Sequence, residues 1–465
     1  MPINRFLPFV ISLALAFPAR AQTTAQRLDA YVSARAKLGQ FNGSVLVARN
    51  GHVLLDKGYG WANVEHRVKA GPETRYAIAS ITKNFTAAAI LRLQEAGKLA
   101  LSDSPCRWID RCPEGWRAVT LEQMLHHTSG IPDYEEPLDL GSEAYVNFMS
   151  QSHSAERIVE EARAKPLDFP PGTKFKYSNT AYVILGYVIE KASGASYEEF
   201  LRAHVLEPAG VGAMQFASGT VLTPHLASGY RRDELDFATV QRGVALDEHT
   251  LKKEASLPLD GPHGDAKLVA TAHDLWHWMQ ALSDSTALAP ASIRTMVSPG
   301  LGGYGTGWFV DQRYGKRTLS HTGLLPGYAS MIEWYPDSRT AIILLSNTTG
   351  LRNSVTLDDL AAIVFGKPYD LPVARRLITY DSTAAFPLTG EYALADGRKA
   401  IVKADHEMLL VEVPGRFTAG AFPVGASEYY APFFDNTIRF ERGSDGRART
   451  IALRINGATL RGVRK

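Results

Sequence analysis

The order of hydrophobic and polar positions predicts a helix and a pair of strands at the start of the folded region. Residues 25–38 have the pattern of a helix. Residues 43–48 and 53–59 have the pattern of two strands, and the Asn-Gly dipeptide between them is typical of a tight hairpin turn. Residues 80–97 form a long apolar segment that ends at a glycine, which predicts a helix with a defined stop.

The middle of the chain is predicted to be helical, and the pattern returns to strands after residue 305. Helices are expected at 120–126, 180–193 and 271–282, and the last begins with Thr271 and Asp274 at capping-box spacing. Short β-rich segments follow at 307–311, 318–321, 329–335 and 340–346. This order predicts an α+β fold, in which an antiparallel sheet flanked by helices unites early and late strands.

Residues beyond the late strands form a second unit in this prediction. The chain has 465 residues, which suits one large domain plus a smaller one. We expect the large domain over 22–370, a linker over 371–385 and an all-β module over 386–465. Turns in the module are predicted at three X-Gly pairs, namely Asp396-Gly397, Asp445-Gly446 and Asn456-Gly457.

The first residues have the features of an export signal. Arg5 precedes an apolar stretch over residues 6–17, and Ala19-Arg20-Ala21 forms an A-x-A cleavage site. A membrane anchor is the alternative, but the stretch is short for a bilayer and contains Pro8. We therefore expect a cleaved signal peptide over 1–21, no stable membrane insertion afterwards, and a periplasmic or secreted protein.

Charge and cysteine usage narrow the function classes. The formal charge is +2 and there is no basic run, so no nucleic-acid partner is expected. Cys106 and Cys112 are the two cysteines; a local disulfide is expected in an oxidising compartment, and two free thiols are the alternative. His273 and His277 are four residues apart, but no H-E-x-x-H motif surrounds them, so no metal and no cofactor are predicted.

The motif Ser80-Ile81-Thr82-Lys83 carries the first candidate chemistry. Positions i and i+3 share a helix face, so the hydroxyl and the amine can meet. A serine hydroxyl needs a nearby base, and a lysine held away from water has a lowered pKa. The alternative is that Ser80 caps a helix and Lys83 is solvated, and this motif alone does not decide between the two.

Two further short motifs follow in the chain. In Tyr177-Ser178-Asn179 the phenol could act as a base and the Asn179 amide could orient lysine and substrate. Tyr145-Val146-Asn147 matches the same pattern, but it lies in an amphipathic stretch, which favours a packed tyrosine.

The third motif, His321-Thr322-Gly323, ends a predicted strand, where glycine leaves room for a substrate backbone. The Leu324 N–H could pair with that of Ser80 as an oxyanion hole. The alternative for His321 is a strand histidine that is bonded to a neighbour.

The three motifs in this order resemble the serine β-lactamase and penicillin-binding protein superfamily, in particular its class C β-lactamase-related branch. The resemblance extends to the loop Leu125-His126-His127-Thr128-Ser129-Gly130-Ile131-Pro132 and to Tyr304-Gly305-Thr306-Gly307-Trp308, and covers about residues 25–366. It implies a β-lactamase/DD-peptidase-like sheet with an additional all-helical region. The terminal module is similar, more loosely, to lipocalin-like domains and is expected to form a small β-barrel.

The resemblance also implies a role for each matching residue. Ser80 would be the acylated nucleophile, Lys83 and Tyr177 the proton-transfer pair, and Asn179 a positioner of lysine and substrate. Ser80 and Leu324 would supply the oxyanion N–H groups, and His321, Thr322 and Gly323 would contact substrate. His127 would be structural.

The sequence departs from the class C pattern at two places. His321 stands where those β-lactamases have a lysine. A histidine at this position is typical of D-aminopeptidase-like and esterase-like relatives, and it offers less fixed positive charge than lysine. Gly264-Asp265-Ala266-Lys267 stands where relatives usually have Gly-Gly. We therefore expect a hydrolase of peptide-like amides, with D-residues among its substrates, or of esters. A β-lactamase and a slow-turnover penicillin-binding or ligand-sensing protein are the alternatives, and the sequence sets no oligomeric state.

Overall fold

The structure of the protein is a computed structural model. It describes residues 22–136, 143, 147–148, 151, 153–218, 221–232, 249, 251–254, 264–351, 353–374, 378–406, 408–415, 417–431, 436–455 and 458–465. The signal peptide predicted over 1–21, residues Tyr145 and Val146 of the second Y-x-N match, and the turn predicted at Asn456-Gly457 lie outside these residues.

The first region contains helices and short sheets around one long sheet. In chain order its helices are α1 (Thr24–Lys37), α2 (Thr82–Glu95), α3 (Leu121–Leu125), α4 (Ala155–Arg163), α5 (Asn179–Ser193), α6 (Tyr197–Leu201), α7 (Ala272–Ser283), α8 (Pro290–Met296) and α9 (Asn353–Val364). Its strands are β1 (Gly43–Arg49), β2 (His52–Tyr59), β3 (Trp61–Asn63), β4 (Val68–Lys69), β5 (Tyr76–Ala77), β6 (Gln215–Phe216), β7 (Tyr230–Arg231), β8 (Lys252–Lys253), β9 (Leu268–Ala270), β10 (Phe309–Arg313), β11 (Lys316–Leu325), β12 (Tyr328–Tyr335), β13 (Thr340–Ser346) and β14 (Thr348–Thr349).

The long sheet joins early and late strands, as the strand-helix-strand order predicts. Its order is β10-β11-β12-β13-β1-β2, and each neighbouring pair is antiparallel. Strand β1 pairs with β13 so that Gly43 faces Ser346 and Ala48 faces Ala341. The sheet therefore brings strand β11, which carries the third motif, into the same layer as the start of the chain.

Helices cover both faces of this sheet, which explains why β1 is apolar at four consecutive positions from Val45 to Ala48. Its residues Val45 and Val47 pack in one core with α1 and α9. The alternate residues Leu46 and Ala48 pack in a second core that contains α2, α5 and α7. A strand that is buried on both faces has apolar residues at consecutive positions instead of an alternating pattern.

The terminal region is a closed barrel of antiparallel strands. In chain order the strands are β15 (Gly390–Leu394), β16 (Lys399–Asp405), β17 (Met408–Val413), β18 (Phe417–Gly425), β19 (Glu428–Ala431), β20 (Asn436–Arg442), β21 (Ala448–Ile455) and β22 (Ala458–Arg464). The pairing of β15 with β22 closes the barrel, and its interior forms a separate hydrophobic core. The predicted sheet flanked by helices and the predicted small barrel are both confirmed.

The segment expected to be a linker enters the barrel core at its end. Residues Ser382–Ala385 form a short helix, α10, and Asp381 caps it by accepting from the Thr383 and Ala384 N–H groups. Ala385 is fully buried in the barrel core. The sequence does not predict this helix, because its residues are small and form no apolar pattern. The side chain of Asp381 supplies its start signal.

Cys106 and Cys112 form a disulfide with 5.3 Å between their Cα atoms. It follows α2 and joins the short 3₁₀ turn Pro105–Arg107 to the next loop. Within the described parts of the chain, every helix is too short or too polar to cross a lipid bilayer.

Candidate active site

Ser80 lies in a 3₁₀ turn, Ala79–Ile81, which leads directly into α2. The sequence predicts that α2 begins at Ser80, but the α-helix begins at Thr82 because Ala79 has a left-handed φ of 48°. A non-glycine residue in this region stores strain of the order of 1 kcal/mol, and such residues cluster at functional sites. The strained residue directly precedes the predicted nucleophile.

Lys83 is fully buried, and its ammonium group is held by three acceptors. Nζ donates to Ser80 Oγ at 3.0 Å, to Asn179 Oδ1 at 2.8 Å and to the Asp265 backbone oxygen at 3.0 Å. Burial lowers the pKa of Lys83, and the nearby carboxyl groups only partly oppose this effect. The amine is therefore close to Ser80 and has a raised tendency to be neutral.

Tyr177 stands just before α5, where Ser178 caps the helix by accepting from the Ala181 N–H. The Ser80 side chain is near enough to the Tyr177 phenol to lower its pKa slightly, and Lys83 Nζ lies 5.0 Å from the centroid of the phenol ring. Burial raises the pKa of Tyr177. The phenol therefore keeps its proton at neutral pH, whereas the role of a base that the sequence suggested requires the phenol to lose it.

His127 packs against the loop that carries Tyr177 and Ser178. Its Nδ1 accepts from the Ser178 N–H at 3.0 Å, and its ring stacks on that of Tyr177 with 4.1 Å between centroids. His127 has a φ of 55° and is fully buried, and burial holds its pKa well below the usual value. The neutral ring fixes the position of Tyr177, which fits the structural role expected for it.

His321 is buried on β11 and uses both of its ring nitrogens. Nδ1 faces the Thr322 carbonyl oxygen at 2.7 Å, so it carries the proton, and Nε2 accepts from the Tyr304 hydroxyl at 3.0 Å. Burial, with a smaller effect of Lys83, lowers the pKa of His321 to about 3. The ring is therefore neutral and adds no positive charge to the site.

Gly323 allows β11 to approach the turn that carries Ser80. A Cβ atom built on Gly323 would lie 2.1 Å from the backbone oxygen of Ile78. The flanking residues Thr322 and Leu324 are exposed on the other side of the strand. The close backbone contact, rather than space for substrate alone, explains why this position is glycine.

A cleft of about 540 Å³ brings most of the predicted site residues together; it is lined by Ser80, Tyr177, Asn179, His321, Thr322 and Leu324. Lys83 reaches Ser80 from behind this surface, and Gly323 packs on the Ser80 turn. The disulfide between Cys106 and Cys112 is not part of the lining. The described residues contain no group of three or more side chains that could hold a metal ion.

The comparisons with known proteins agree with this arrangement. A family model described as β-lactamase matches residues 28–365. The chain belongs to the β-lactamase family. It is 30% identical over 444 residues to penicillin-binding protein 4* of Bacillus subtilis, with 91% of this chain and 95% of that protein covered.

Solved structures extend the likeness beyond the family region. The octameric penicillin-binding protein homologue from Pyrococcus abyssi covers 94% of this chain and 99% of its own, with a TM-score of 0.65 and 26% identity. A D-stereospecific amidohydrolase from Streptomyces sp. covers 74% of this chain and 98% of its own, with a TM-score of 0.59 and 23% identity, which is a likeness of fold. The family resemblance drawn from the motifs is confirmed, and the protein is a serine hydrolase with a terminal barrel that fits a lipocalin-like domain.

Several residues of this β-lactamase-family cleft were missed by the sequence reasoning. Asp133, Glu135, Glu136, Lys176 and Phe309 line it beside the predicted residues. The signal was present, since Asp-Tyr-Glu-Glu directly follows the loop that ends at Pro132. Tyr304, whose hydroxyl donates to His321, belongs to a motif of the family resemblance, but the sequence alone assigns it no role.

The departure at Gly264-Asp265 places a carboxyl group behind Lys83. Asp265 is 1% exposed, its backbone oxygen accepts from Lys83, and its Oδ2 accepts from the Tyr134 hydroxyl at 2.8 Å. Gly264 has a φ of 106°, and a Cβ there would lie 2.3 Å from the Tyr182 backbone oxygen. The departure therefore adds a carboxyl group near Lys83, and burial raises the pKa of this group. It keeps the one glycine that the backbone requires.

Proposed function

We propose that this protein is an exported serine hydrolase that forms an acyl-enzyme at Ser80. Its substrates are peptide-like amides, with D-amino-acid derivatives among them, or esters. The observation that carries the proposal is the 3.0 Å contact between Lys83 Nζ and Ser80 Oγ, in which a buried amine with a lowered pKa meets an alcohol.

In the acylation step, neutral Lys83 takes the proton of Ser80 while Oγ bonds to the substrate carbonyl carbon. The backbone N–H groups of Ser80 and Leu324 stabilise the oxyanion. Tyr177, which keeps its proton at neutral pH, gives it to the leaving nitrogen or oxygen as the scissile bond breaks. The Lys83 ammonium then returns a proton to Tyr177, so the pair ends the step as it began.

In the deacylation step, water attacks the acyl carbon and gives its proton to Lys83. The bond to Ser80 Oγ breaks and this oxygen recovers a proton from the same ammonium group. Asn179 Oδ1 accepts from Lys83 Nζ at 2.8 Å and keeps this amine directed at Ser80 during both steps. The acid product leaves and the hydroxyl is restored.

The neutral state of His321 favours amide and ester substrates over β-lactams. A β-lactam carries a carboxylate, for which a fixed cation is useful, and His321 supplies none at neutral pH. The likeness to a D-stereospecific amidohydrolase supports the choice of D-amino-acid derivatives. Residues His321, Thr322 and Gly323 would lie alongside the bound acyl group.

Export and domain boundaries belong to the same proposal. Residues 1–21 would be removed as a signal peptide, which leaves a periplasmic or secreted protein. The catalytic domain would then span 22–370, the linker 371–385 and the barrel domain 386–465. A disulfide between Cys106 and Cys112 suits an oxidising compartment.

The test is labelling of the purified protein with a fluorophosphonate, read by intact mass. We expect a single adduct that is absent from Ser80→Ala, together with turnover of D-aminoacyl amides or of esters. Nitrocefin turnover that exceeds both would favour the β-lactamase alternative. A stoichiometric adduct without turnover would favour the slow penicillin-binding alternative, and an unchanged adduct in Ser80→Ala would remove Ser80 from the mechanism.

A further inference from the structure

Side chains of α2 bind the backbone of residues 264–267, the segment in which the sequence departs from its relatives. Lys83 Nζ donates to the Asp265 backbone oxygen at 3.0 Å. One helix turn further on, Thr86 Oγ1 donates to the Gly264 backbone oxygen at 2.6 Å. These two hydrogen bonds fix the position of Asp265 relative to the amine of Lys83.

The side chain of Asp265 is bound by the loop that lines the cleft. Its Oδ2 atom accepts from the Tyr134 hydroxyl at 2.8 Å, and the Tyr134 N–H donates to Thr180 Oγ1 at 2.9 Å. Asp265 is 1% exposed, and its Oδ1 atom has no hydrogen-bond partner among the described residues. An ionised carboxyl group in such a buried place is costly unless a cation lies near it.

Lys83 is the cation that faces this carboxyl group. Its three N–H donors are taken by other acceptors, one of which is the Asp265 backbone oxygen, so the carboxyl group acts on the amine through space. Burial lowers the pKa of Lys83, and Asp265 opposes this effect more than Glu135 or Asp133 does. Burial raises the pKa of Asp265, and Lys83 opposes that effect in turn.

The other titratable groups that the described residues place around Lys83 carry no charge at neutral pH. The rings of Tyr177 and Tyr182 face its Nζ atom, with centroids at 5.0 and 5.7 Å, and burial raises the pKa of both phenols. Burial lowers the pKa values of His127 and His321, so both imidazoles are neutral. The counter-charge for the Lys83 ammonium group therefore comes from carboxyl groups.

We propose, on the basis of the proposed function above, that Asp265 is a positioning residue for acylation: its carboxylate is the counter-ion of the ammonium group that forms when Lys83 takes the Ser80 proton. The Tyr134 hydroxyl holds this carboxylate in place. A counter-ion makes a buried amine a stronger base, because it stabilises the charged product of the proton transfer. Asp265 is not among the residues that line the cleft, so it acts through Lys83 and not on the substrate.

The test follows acylation as a function of pH. The second-order rate constant of fluorophosphonate labelling is measured by intact mass across the pH range in which the protein stays folded. The value of kcat/KM for methyl 3-phenylpropanoate, an ester without charge, is measured over the same range. For the wild type, both quantities should rise along a limb whose midpoint reports the loss of the Lys83 proton.

Asp265→Asn removes the charge and keeps an acceptor for the Tyr134 hydroxyl. We expect the midpoint of both limbs to move to lower pH by about one unit, because the ammonium form of a buried amine loses its counter-ion. Above the limb, both rate constants should fall by about three- to tenfold, because a weaker base takes the Ser80 proton less readily. A residue that only supports the structure would lower the rate constants without moving the midpoint.

Further variants assign the shift to the charge of Asp265. Asp265→Ala removes the charge and also the hydrogen-bond acceptor, so it should give the same shift together with a larger loss of stability to denaturant. Asp133→Asn and Glu135→Gln each remove a carboxyl group of the cleft and should move the midpoint less than Asp265→Asn does. Glu161→Gln is the matched control, because this exposed carboxylate of α4 pairs with Arg157 and lies outside the cleft lining. It should leave the midpoint and the rate constants unchanged.

The outcomes separate this inference from the proposed function. An unmoved midpoint in both Asp265→Asn and Asp265→Ala, or equally large shifts in Asp133→Asn and Glu135→Gln, would overturn the role of Asp265 and leave the acyl-enzyme mechanism intact. Labelling that persists in Ser80→Ala would instead overturn the proposed function. Wild-type protein that is not labelled and does not hydrolyse the ester would overturn both.

Discussion

At the scale of single residues, the environment of Lys83 determines how the site can handle protons. Burial lowers its pKa, so the fraction of neutral amine rises as the pH approaches this lowered value from below. We expect kcat/KM for a neutral ester to increase along a limb whose midpoint lies below the usual lysine value of 10.5. A pH profile with methyl 3-phenylpropanoate measures this midpoint.

Lys83→Arg tests the same property by substitution. An arginine keeps the positive charge but does not lose its proton in the protein, so it cannot act as the base. We expect kcat/KM to fall about 10³-fold, within the range for loss of a general base. A variant that retains most of its activity, with an unchanged pH limb, would show that another group accepts the Ser80 proton.

The second prediction for a single residue concerns Glu135 and the free energy of unfolding of the protein. Burial and the neighbouring carboxyl groups raise its pKa from 4.5 to about 7, so the folded state binds this proton more tightly than the unfolded state. Stability is then lost as the pH rises from the lower value through the higher one. We expect Glu135→Gln to raise the free energy of unfolding by about 1–2 kcal/mol near pH 8 and to leave it unchanged near pH 4.

Denaturant unfolding at the two pH values measures this difference, and Glu136→Gln serves as the comparison. Glu136 is paired with Lys176, so its loss should give no such gain at the higher pH. An equal effect of both substitutions would mean that the loop, rather than the shared charge, sets the stability. A gain for Glu135→Gln alone would show that the cleft keeps an unfavourable charge.

At the scale of elements, the sequence predicts most of the scaffold but not the contacts between elements. The capping box at Thr271 and Asp274 is local, and helix α7 follows it as predicted. The left-handed φ of Ala79 has no local signal, because it arises where strand β11 meets the Ser80 turn. Positions fixed by local hydrogen bonds could be predicted, and positions fixed by tertiary contact could not.

The residues of the candidate site also divide into those that the sequence predicts and those that depend on tertiary contacts. Ser80, Lys83 and Tyr177 belong to short motifs with known spacing, so they could be proposed from the sequence. Asp133 and Glu135 have no such motif, and their place in the cleft depends on how the loop after α3 folds over α5. Only the density of acidic residues after Pro132 pointed to them.

Gly323→Ala is the prediction that belongs to this scale. The new Cβ would lie 2.1 Å from the Ile78 backbone oxygen, so β11 and the Ser80 turn must move apart. We expect fluorophosphonate labelling of Ser80 to slow by about 10²-fold and stability to fall by about 1–3 kcal/mol. Gly71→Ala is the control, because nothing lies within 4 Å of its Cβ. An unchanged labelling rate in Gly323→Ala would show that this contact does not position the nucleophile.

At the scale of the whole molecule, the described residues divide into cores that share no side chain. The long sheet separates the first region into two hydrophobic cores, and the barrel encloses another, which begins with Tyr380 and Ala385. The change from mixed elements to strands alone made the barrel predictable. Its entry helix was not, because one aspartate rather than an apolar pattern starts it.

The separate barrel core leads to the prediction that the two regions lose structure independently. Leu409 is fully buried in the barrel, so Leu409→Ala in the full chain should destabilise the barrel by about 2–5 kcal/mol. Because Leu409 belongs to the barrel core and to neither large core of the first region, we expect the rate of Ser80 labelling to stay within about twofold of wild type. Val463→Ala, at a barrel residue that is 62% exposed, is the matched control.

Denaturant unfolding followed by far-UV circular dichroism should show an earlier barrel transition in Leu409→Ala alone. If Ser80 labelling is lost in step with that transition, the barrel must contribute to the cleft, and the division of the protein into a catalytic and a barrel domain would be wrong.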